Sequence, residues 1–481
     1  MSQVRGIAYF ESFGVTESSL LKTMHRALLR GATHADIFLQ HRISHRLGLE
    51  DGAVNRASYG IDLGAGVRVV VGDQTGYAYT EDLREEALLE AASLAASIAQ
   101  QSSAQERPIS LQLTPTLSWP SPLLYEQHAQ WLQVKTKDKI PLLYQLYQRA
   151  KQKEPSLQKI NIGFSDAIDT ILIIDQQGHC HFDIQPMTSL SLSCVAEKNG
   201  KQENNGYNVA ARDEIGFYTP ERIDKVADEA IARTLILFEA TSPKAGEMPV
   251  VLAAGSSGIL LHEAIGHGME ADFNRKGTSI YSQKIGKSIA APFVNIVDDG
   301  TIAHARGAIH IDDEGTPAQK TYLVEKGTLA TFLHDTISAR HYGLNPTGNG
   351  RRESFRHAPM PRMRCTYMEN GPHDHNEIIA SVKKGIYCQT FANGQVQIGA
   401  GDFSFYVKNG YLIEDGRLTR PIKDVNLIGN GPRILEQIDM VAQDLVIDEG
   451  GWTCGKDGQS VPVSQGMPTV RVQSMSVGGQ G

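Results

Sequence analysis

Residues 241–246, Thr-Ser-Pro-Lys-Ala-Gly, part the chain into two halves of different character. Proline and glycine among small and polar residues are loop chemistry. Before them, helical and strand-like patterns alternate; after them, strand-like runs dominate around one conspicuous helix. The fold class this implies is α+β. A mixed α/β N-terminal domain over residues 1–242 precedes a β-rich, barrel-like C-terminal domain over residues 243–481. A chain of 481 residues is too long for one ordinary core, so a division is expected.

In the first half, Thr16 is placed to cap a helix carrying Leu20, Leu21, Met24, Ala27 and Leu28 on one face, with Gly31 as its stop. Residues 35–40 and 65–71 read as strands, the second turning at 72–76 into a Tyr77-Ala78-Tyr79 return. Apolar residues at helical spacing mark 82–101. A proline-rich break at 114–122 precedes a predicted long helix or helical hairpin over 123–153, strands near 166–174 and 189–197, and a helix over 220–238. In the second half, strands are expected at 249–253, 293–297, 320–324, 379–382, 395–398, 402–407 and 411–414. Asn409-Gly410 between the last two is a strong hairpin signal.

Hydrophobic residues make up 41% of the chain and charged residues 21%, a soluble globular balance. The net charge of 46 − 54 = −8 offers no basic footprint for nucleic acid and no attraction to an anionic membrane surface. No apolar run approaches the roughly 18 residues of a membrane span, and the first residues show no signal-peptide pattern. Five scattered cysteines are not a disulfide framework and suit a reducing compartment. A cytoplasmic location is expected.

The conspicuous helix, residues 256–270, contains His262-Glu263-Ala264-Ile265-Gly266-His267. Zinc-peptidase helices usually place their histidines at i and i+4, with the glutamate as general base. Here the spacing is i and i+5. Five residues of an ideal helix rotate roughly 500°, leaving the two rings about 140° apart. A π-bulge would return both to one face; alternatively, the helix loosens at Gly266 and Gly268. Two unrelated histidines on a helix surface are the plainer reading, opposed by the apolar Ile259, Leu260, Leu261 and Ile265 around them.

A catalytic zinc takes three protein ligands and keeps one position open. Cys194, Cys365 and Cys388 lie in strand-like runs and read as buried small hydrophobes. Cys180 sits between His179 and His181, a compositional metal signal. Cys454 lies in a glycine-rich loop two residues from Lys456, where an accessible thiolate is favoured. His304, His310, His334, His341 and His357 also compete. His373 and His375, after Gly371-Pro372, read as a solvated turn, and His41 and His45 as polar strand positions.

Taken together, the HEAIGHGMEADF segment, the Glu314-Gly315-Thr316-Pro317 turn, the Gly399–Phe405 run and the Cys454–Gln459 loop resemble the TldD branch of the TldD/PmbA metalloprotease family. The likeness runs over the whole length. It implies a metal held by His262, His267 and Cys454, with Glu263 as general base, and an α+β domain over a β-rich domain holding the metal. It also implies a homologous metal-free partner subunit of the TldE (PmbA) kind in a heterodimer. The implied activity is cleavage of unfolded or extended peptides, including leader segments of modified peptides and labile antitoxins. The donor set favours zinc (Zn2+), while iron or another divalent ion also suits it.

Peptide recognition would then be β-augmentation, for which the glycine-rich 393–401 region is a candidate edge, although plain turns between barrel strands explain its glycines equally well. No substrate-binding residue is assigned. Two rival readings are a deformylase-like metallo-amidase and a non-enzymatic peptide-binding subunit with a structural, four-ligand zinc.

Overall fold

Alternation along residues 34–50 decides how the first half is layered. In the computed structural model, which describes residues 3–29, 31–99, 111–115, 123–126 and 134–479, these residues form the strand His34–Glu50. Successive side chains of a strand point to opposite faces. Ala35, Ile37, Leu39, Leu47 and Leu49 are buried on one face beneath helices. Glu17–Leu28 and Glu85–Ala99 cover one end of that face, and Thr136–Lys153 and Pro220–Leu235 cover the other. The strand belongs to a seven-stranded sheet with the order Gln74–Thr80, Ala53–Val71, His34–Glu50, Leu157–Asp175, His179–Lys198, Thr114–Pro115, and with Lys201–Ala211 also on His179–Lys198.

The even-numbered face meets the second half of the chain. Arg68, fully buried, pairs with Asp36 and with Glu314, each at 2.6 Å. Arg352 reaches Asp36 at 3.0 Å and lies over the Phe38 ring. The amide of Phe355 donates to Gln40 Oε1 and its carbonyl accepts from the Tyr77 hydroxyl. A side chain at Gly64 or Gly66 would enter this contact, because an added Cβ would lie 2.2 Å from the Phe355 ring or 2.5 Å from its carbonyl oxygen.

In the second half, Gly246–Leu252, Lys384–Gln397, Asp402–Glu414, Val425–Asn430 and Val470–Gly478 pair in a closed ring, since Lys384–Gln397 bonds both Gly246–Leu252 and Asp402–Glu414. The fold is thus α+β with a five-stranded barrel in its C-terminal region. A six-stranded sheet lies beside it, with Thr328–Leu329, Lys320–Glu325, Ile296–Asp299, Cys365–Met368, Ser464–Met467 and Val446–Ile447 in order. Barrel residues such as Leu252, Ile386 and Phe405 share one core with Ile259, Leu261 and Ile265 of the histidine-bearing segment.

Several predicted elements change. No hairpin forms at Asn409-Gly410; the strand Asp402–Glu414 runs through it. The Asn409 side chain is buried, accepting from Thr390 and Asn205 and donating to the Arg233 carbonyl. Gly410 fits against the Tyr387 carbonyl, where a Cβ would sit 2.3 Å away. Both residues serve a bulge in the pairing with Lys384–Gln397. Tight reversals fall instead at Asp415-Gly416, Asn199-Gly200 and Asp51-Gly52, where both residues have positive φ. Residues 379–382 are not a strand: Asp374 caps a helix His375–Ala380, so the local cap overrides the apolar run. The strand expected at 293–297 forms over Ile296–Asp299. The helix expected from residue 123 begins at Thr136, residues 123–126 are not helical, and residues 116–122 and 127–133 lie outside the described residues.

Removing Asp36 leaves Arg68 and Arg352 short of a buried partner. We expect Asp36→Ala to cost about 3–5 kcal/mol in denaturant unfolding. Burial raises the Asp36 carboxyl, but Arg68, His34 and Arg352 outweigh it and hold it well below the ordinary range. Its contribution is therefore complete at neutral pH and is lost as pH falls below about 4, the unfolded carboxylate value, towards the depressed folded value. An unfolding series between pH 7 and pH 3 should show Asp36→Ala losing less stability to acid than the parent.

Candidate metal centre

The five-residue spacing is met by a wider turn. Residues His262–Gly266 form one turn of π-helix, in which the His267 amide donates to the His262 carbonyl, and His267–Met269 tighten to a 3-10 turn. This brings the two imidazoles together, with ring centroids 4.9 Å apart and planes at 84°. The extra residue leaves the Ala264 carbonyl to accept from the Tyr281 hydroxyl at 3.4 Å. Gly266 is not needed for its dihedrals, since φ −58° and ψ −51° are ordinary helical values. It is needed for space: a Cβ there would lie 2.0 Å from Met363 Sδ, and one at Gly268 would lie 2.7 Å from the Tyr281 ring.

Cys454 comes to the pair from 187 residues away. It lies in a two-stranded hairpin, Thr453–Lys456 with Gln459–Pro462, that turns at Asp457-Gly458. The expected exposed loop is thus a buried strand; Cys454 is 2% exposed, beside His262 at 4% and His267 at 5%. Arg362 donates to the Cys454 carbonyl at 2.6 Å, and Cys454 Sγ stands 3.4 Å from His267 Nε2. One donor atom from each of His262, His267 and Cys454 falls within 4.8 Å of the others. Burial raises the thiol, but the two imidazoles outweigh it and hold Cys454 well below its ordinary value.

Lys456 does not pair with that thiolate. Its ammonium bonds Asp272 at 2.8 Å, the Pro361 carbonyl at 2.9 Å and Glu270 at 3.1 Å. Glu270, fully buried, holds His267 Nδ1 at 3.0 Å. Burial raises the Glu270 carboxyl, yet Lys456 and His267 bring it down to about 2, so it stays ionised. A carboxylate on the outer nitrogen fixes the tautomer and aims Nε2 at the trio. The sequence reading missed Glu270; His267-x-x-Glu270 was visible, but only the 3-10 turn shows that three residues bring the groups together. His262 Nδ1 is buried with no hydrogen-bond partner among the described residues. That orphaned nitrogen, two imidazoles and a thiolate fit a divalent ion such as zinc.

Glu263 lies on the same turn, half-buried, with its Cγ 3.2 Å from where a Cβ on Gly394 would be. Burial raises its carboxyl above the ordinary value, against the pull of His262 and His267. Gly394 belongs to the 393–401 stretch, of which 393–397 is strand bonded to 402–406. On its other side the strand pairs with Gly246–Leu252 only at 386–388.

The remaining candidates do not gather into a site. His179 turns to Asp175 while Cys180 enters the core, as alternation along a strand requires. His375 bonds Asp444 and His373 pairs with Val441, so that stretch is a docked helix start and not a solvated turn. His41 meets Tyr9 and His45 meets buried Asp166. Cys194, Cys365 and Cys388 are buried as expected. Among the described residues, His304, His310, His334, His341 and His357 join no three-donor cluster.

Family models match in three consecutive pieces: the PmbA/TldA metallopeptidase domain 1 over residues 35–99, the central domain over 130–238 and the C-terminal domain over 245–479. The chain belongs to the PmbA/TldD metallopeptidase family. It is 39% identical over 457 residues to the metalloprotease TldD homolog of Haemophilus influenzae, covering 94% of each chain. It is 35% identical over 258 residues to a zinc metalloprotease TldD homolog of Saccharolobus solfataricus, covering 53% of this chain and 57% of that one. The fold is shared with TldE from Thermococcus kodakarensis, at a TM-score of 0.75 and 18% identity, over 96% of this chain and 99% of that one.

The packing predicts that Gly266→Ala overfills the π-turn, costing about 1–3 kcal/mol and lowering metal affinity in a competitive chelator titration. In the same titration Glu270→Ala should weaken metal binding about 10–100-fold. Glu270→Gln, which keeps an acceptor for His267, should lose less.

Proposed function

We propose that this protein is a zinc-dependent peptidase that cuts unfolded or extended peptides. The observation that carries the reading is the meeting of His262, His267 and Cys454 around one point with Glu263 on the same turn. The curated relatives named metalloproteases support it, and the Saccharolobus relative supports zinc in particular. Three donors, with no fourth His, Cys, Asp or Glu in the group among the described residues, leave room for water. That favours a catalytic over a structural ion.

A zinc ion held by His262, His267 and Cys454 would polarise the scissile carbonyl and acidify a water. Glu263 is the base: its carboxyl, raised by burial, takes the water's proton and hands it to the leaving amine. Glu270, anchored by Lys456, holds the His267 ring in place while charge at the centre changes. The edge of the Lys384–Gln397 strand beyond Cys388 suits an extended peptide, whose main chain would pair there beside Glu263.

The chain acts as the catalytic subunit of a pair with a homologous metal-free subunit of the TldE kind, and it works in the cytoplasm on leader segments and labile small proteins. The TldE structural neighbour supports the partnership. The described residues contain no helix long and apolar enough to cross a membrane.

Two variants test the chemistry. Glu263→Ala should keep its metal and lose peptide turnover by at least about 100-fold, within the range for removal of a general base. Cys454→Ala should lose metal on dialysis. Normal cleavage by Glu263→Ala would overturn the mechanism. A panel of formylated and free peptides separates the peptidase from a deformylase-like amidase, which would release only formate.

A further inference from the structure

A pocket of about 370 Å³ lies where the N-terminal sheet meets the barrel, and nothing in the metal chemistry uses it. Its walls carry two cations, Arg233 and Lys408, three aromatic rings, Tyr207, Phe391 and Trp452, and one carboxylate, Asp448. The carboxylate is occupied, accepting from the Trp452 indole at 3.0 Å and the Gly450 amide at 2.6 Å. Lys408 is half-buried and has no carboxylate within ion-pair distance among the described residues. Burial lowers its ammonium's pKa, with Asp424 only partly restoring it. Arg233 gives Nε to Glu229 at 3.1 Å and stacks on Tyr207, and its Nη groups meet no acceptor among the described residues.

Two walls of this pocket lead directly to the metal centre. Ala392 lies two residues before Gly394, which packs against Glu263, and Trp452 lies two residues before Cys454. Two residues of chain span at most about 7 Å. An extended peptide rises by the same amount per two residues and returns its side chains to one face at that interval.

We propose that this pocket is a substrate subsite for a carboxylate, an Asp or Glu side chain or a free C-terminus, about two residues from the bond that is cut. Arg233 and Lys408 bind the anion, while Phe391, Tyr207 and Trp452 cover the apolar part of the residue that carries it. The inference rests on the peptidase reading above. It is a local effect, since the chain's net charge of −8 repels acidic peptides at long range.

The test is a positional scan on the full-length, metal-loaded protein, alone and with a TldE-type subunit. A neutral decapeptide carries one Glu, or one matched Gln, at each position in turn, and a second set compares free C-terminal acid with amide. We expect a Glu-over-Gln or acid-over-amide preference of about tenfold in kcat/KM at one position, the scale of one charged hydrogen bond. The two sets tell a side-chain carboxylate from a terminal one. Lys408→Gln and Arg233→Gln should each reduce that ratio, and Lys408→Glu should turn it towards Lys, with metal content checked in every variant. A ratio near one throughout the parent scan, or a preference that survives all three variants, overturns the subsite. If no peptide is cut at all, the peptidase reading falls instead. Equilibrium binding of the same peptides to Glu263→Ala then decides the subsite by the same ratios.

Discussion

Everything at the centre depends on one extra residue in one helical turn. With the donors five positions apart, a regular helix would send His262 and His267 to different sides, whereas a π-turn brings their ring centroids to 4.9 Å. The wider turn frees a carbonyl and thickens the helix, and its neighbours are cut to match. Tyr281 takes the carbonyl of Ala264, Gly431 lets its own backbone approach that same oxygen, and Gly266 makes room for Met363. Glycine here supplies closeness of approach, not freedom of rotation.

Charge is handled by the same economy of position. Lys456 and Cys454 share a strand of the short C-terminal hairpin, and on that strand alternate residues face the same way. The hairpin therefore delivers the thiolate to the histidines and an ammonium to Glu270 in one movement. Arg362 ties the Cys454 carbonyl from a third segment. Between the two halves, Asp36, Arg68, Glu314 and Arg352 do for the interface what Lys456 and Glu270 do for the centre. A buried charge with its partners removed is costly, and this holds each interface to one arrangement.

Periodicity made much of this legible. The helix capped at Thr16, the hairpin turning after Val71 and the helix over 220–235 follow from local pattern and capping. The misfit of the histidine spacing also carried its own remedy. Long-range demands were not legible. Asn409-Gly410 has hairpin chemistry, but three partners from distant segments recruit the asparagine side chain. Residues 379–382 look like a strand until Asp374 caps a helix before them. Lys456 looked like a cation for the thiolate because the sequence does not show that two distant carboxylates, Glu270 and Asp272, take its ammonium. Glu270 could not be read as a partner of His267 without knowing that the helix tightens after its wide turn.

The separation of the donors has a consequence in time. His267 and Cys454 are 187 residues apart, and at 5–20 residues per second a ribosome needs roughly 10–40 s to cover that gap. Throughout that interval the nascent chain exposes a histidine pair with neither its third donor nor the lysine that anchors Glu270. The proposed peptidase centre would thereby stay unassembled until the C-terminal hairpin has been made.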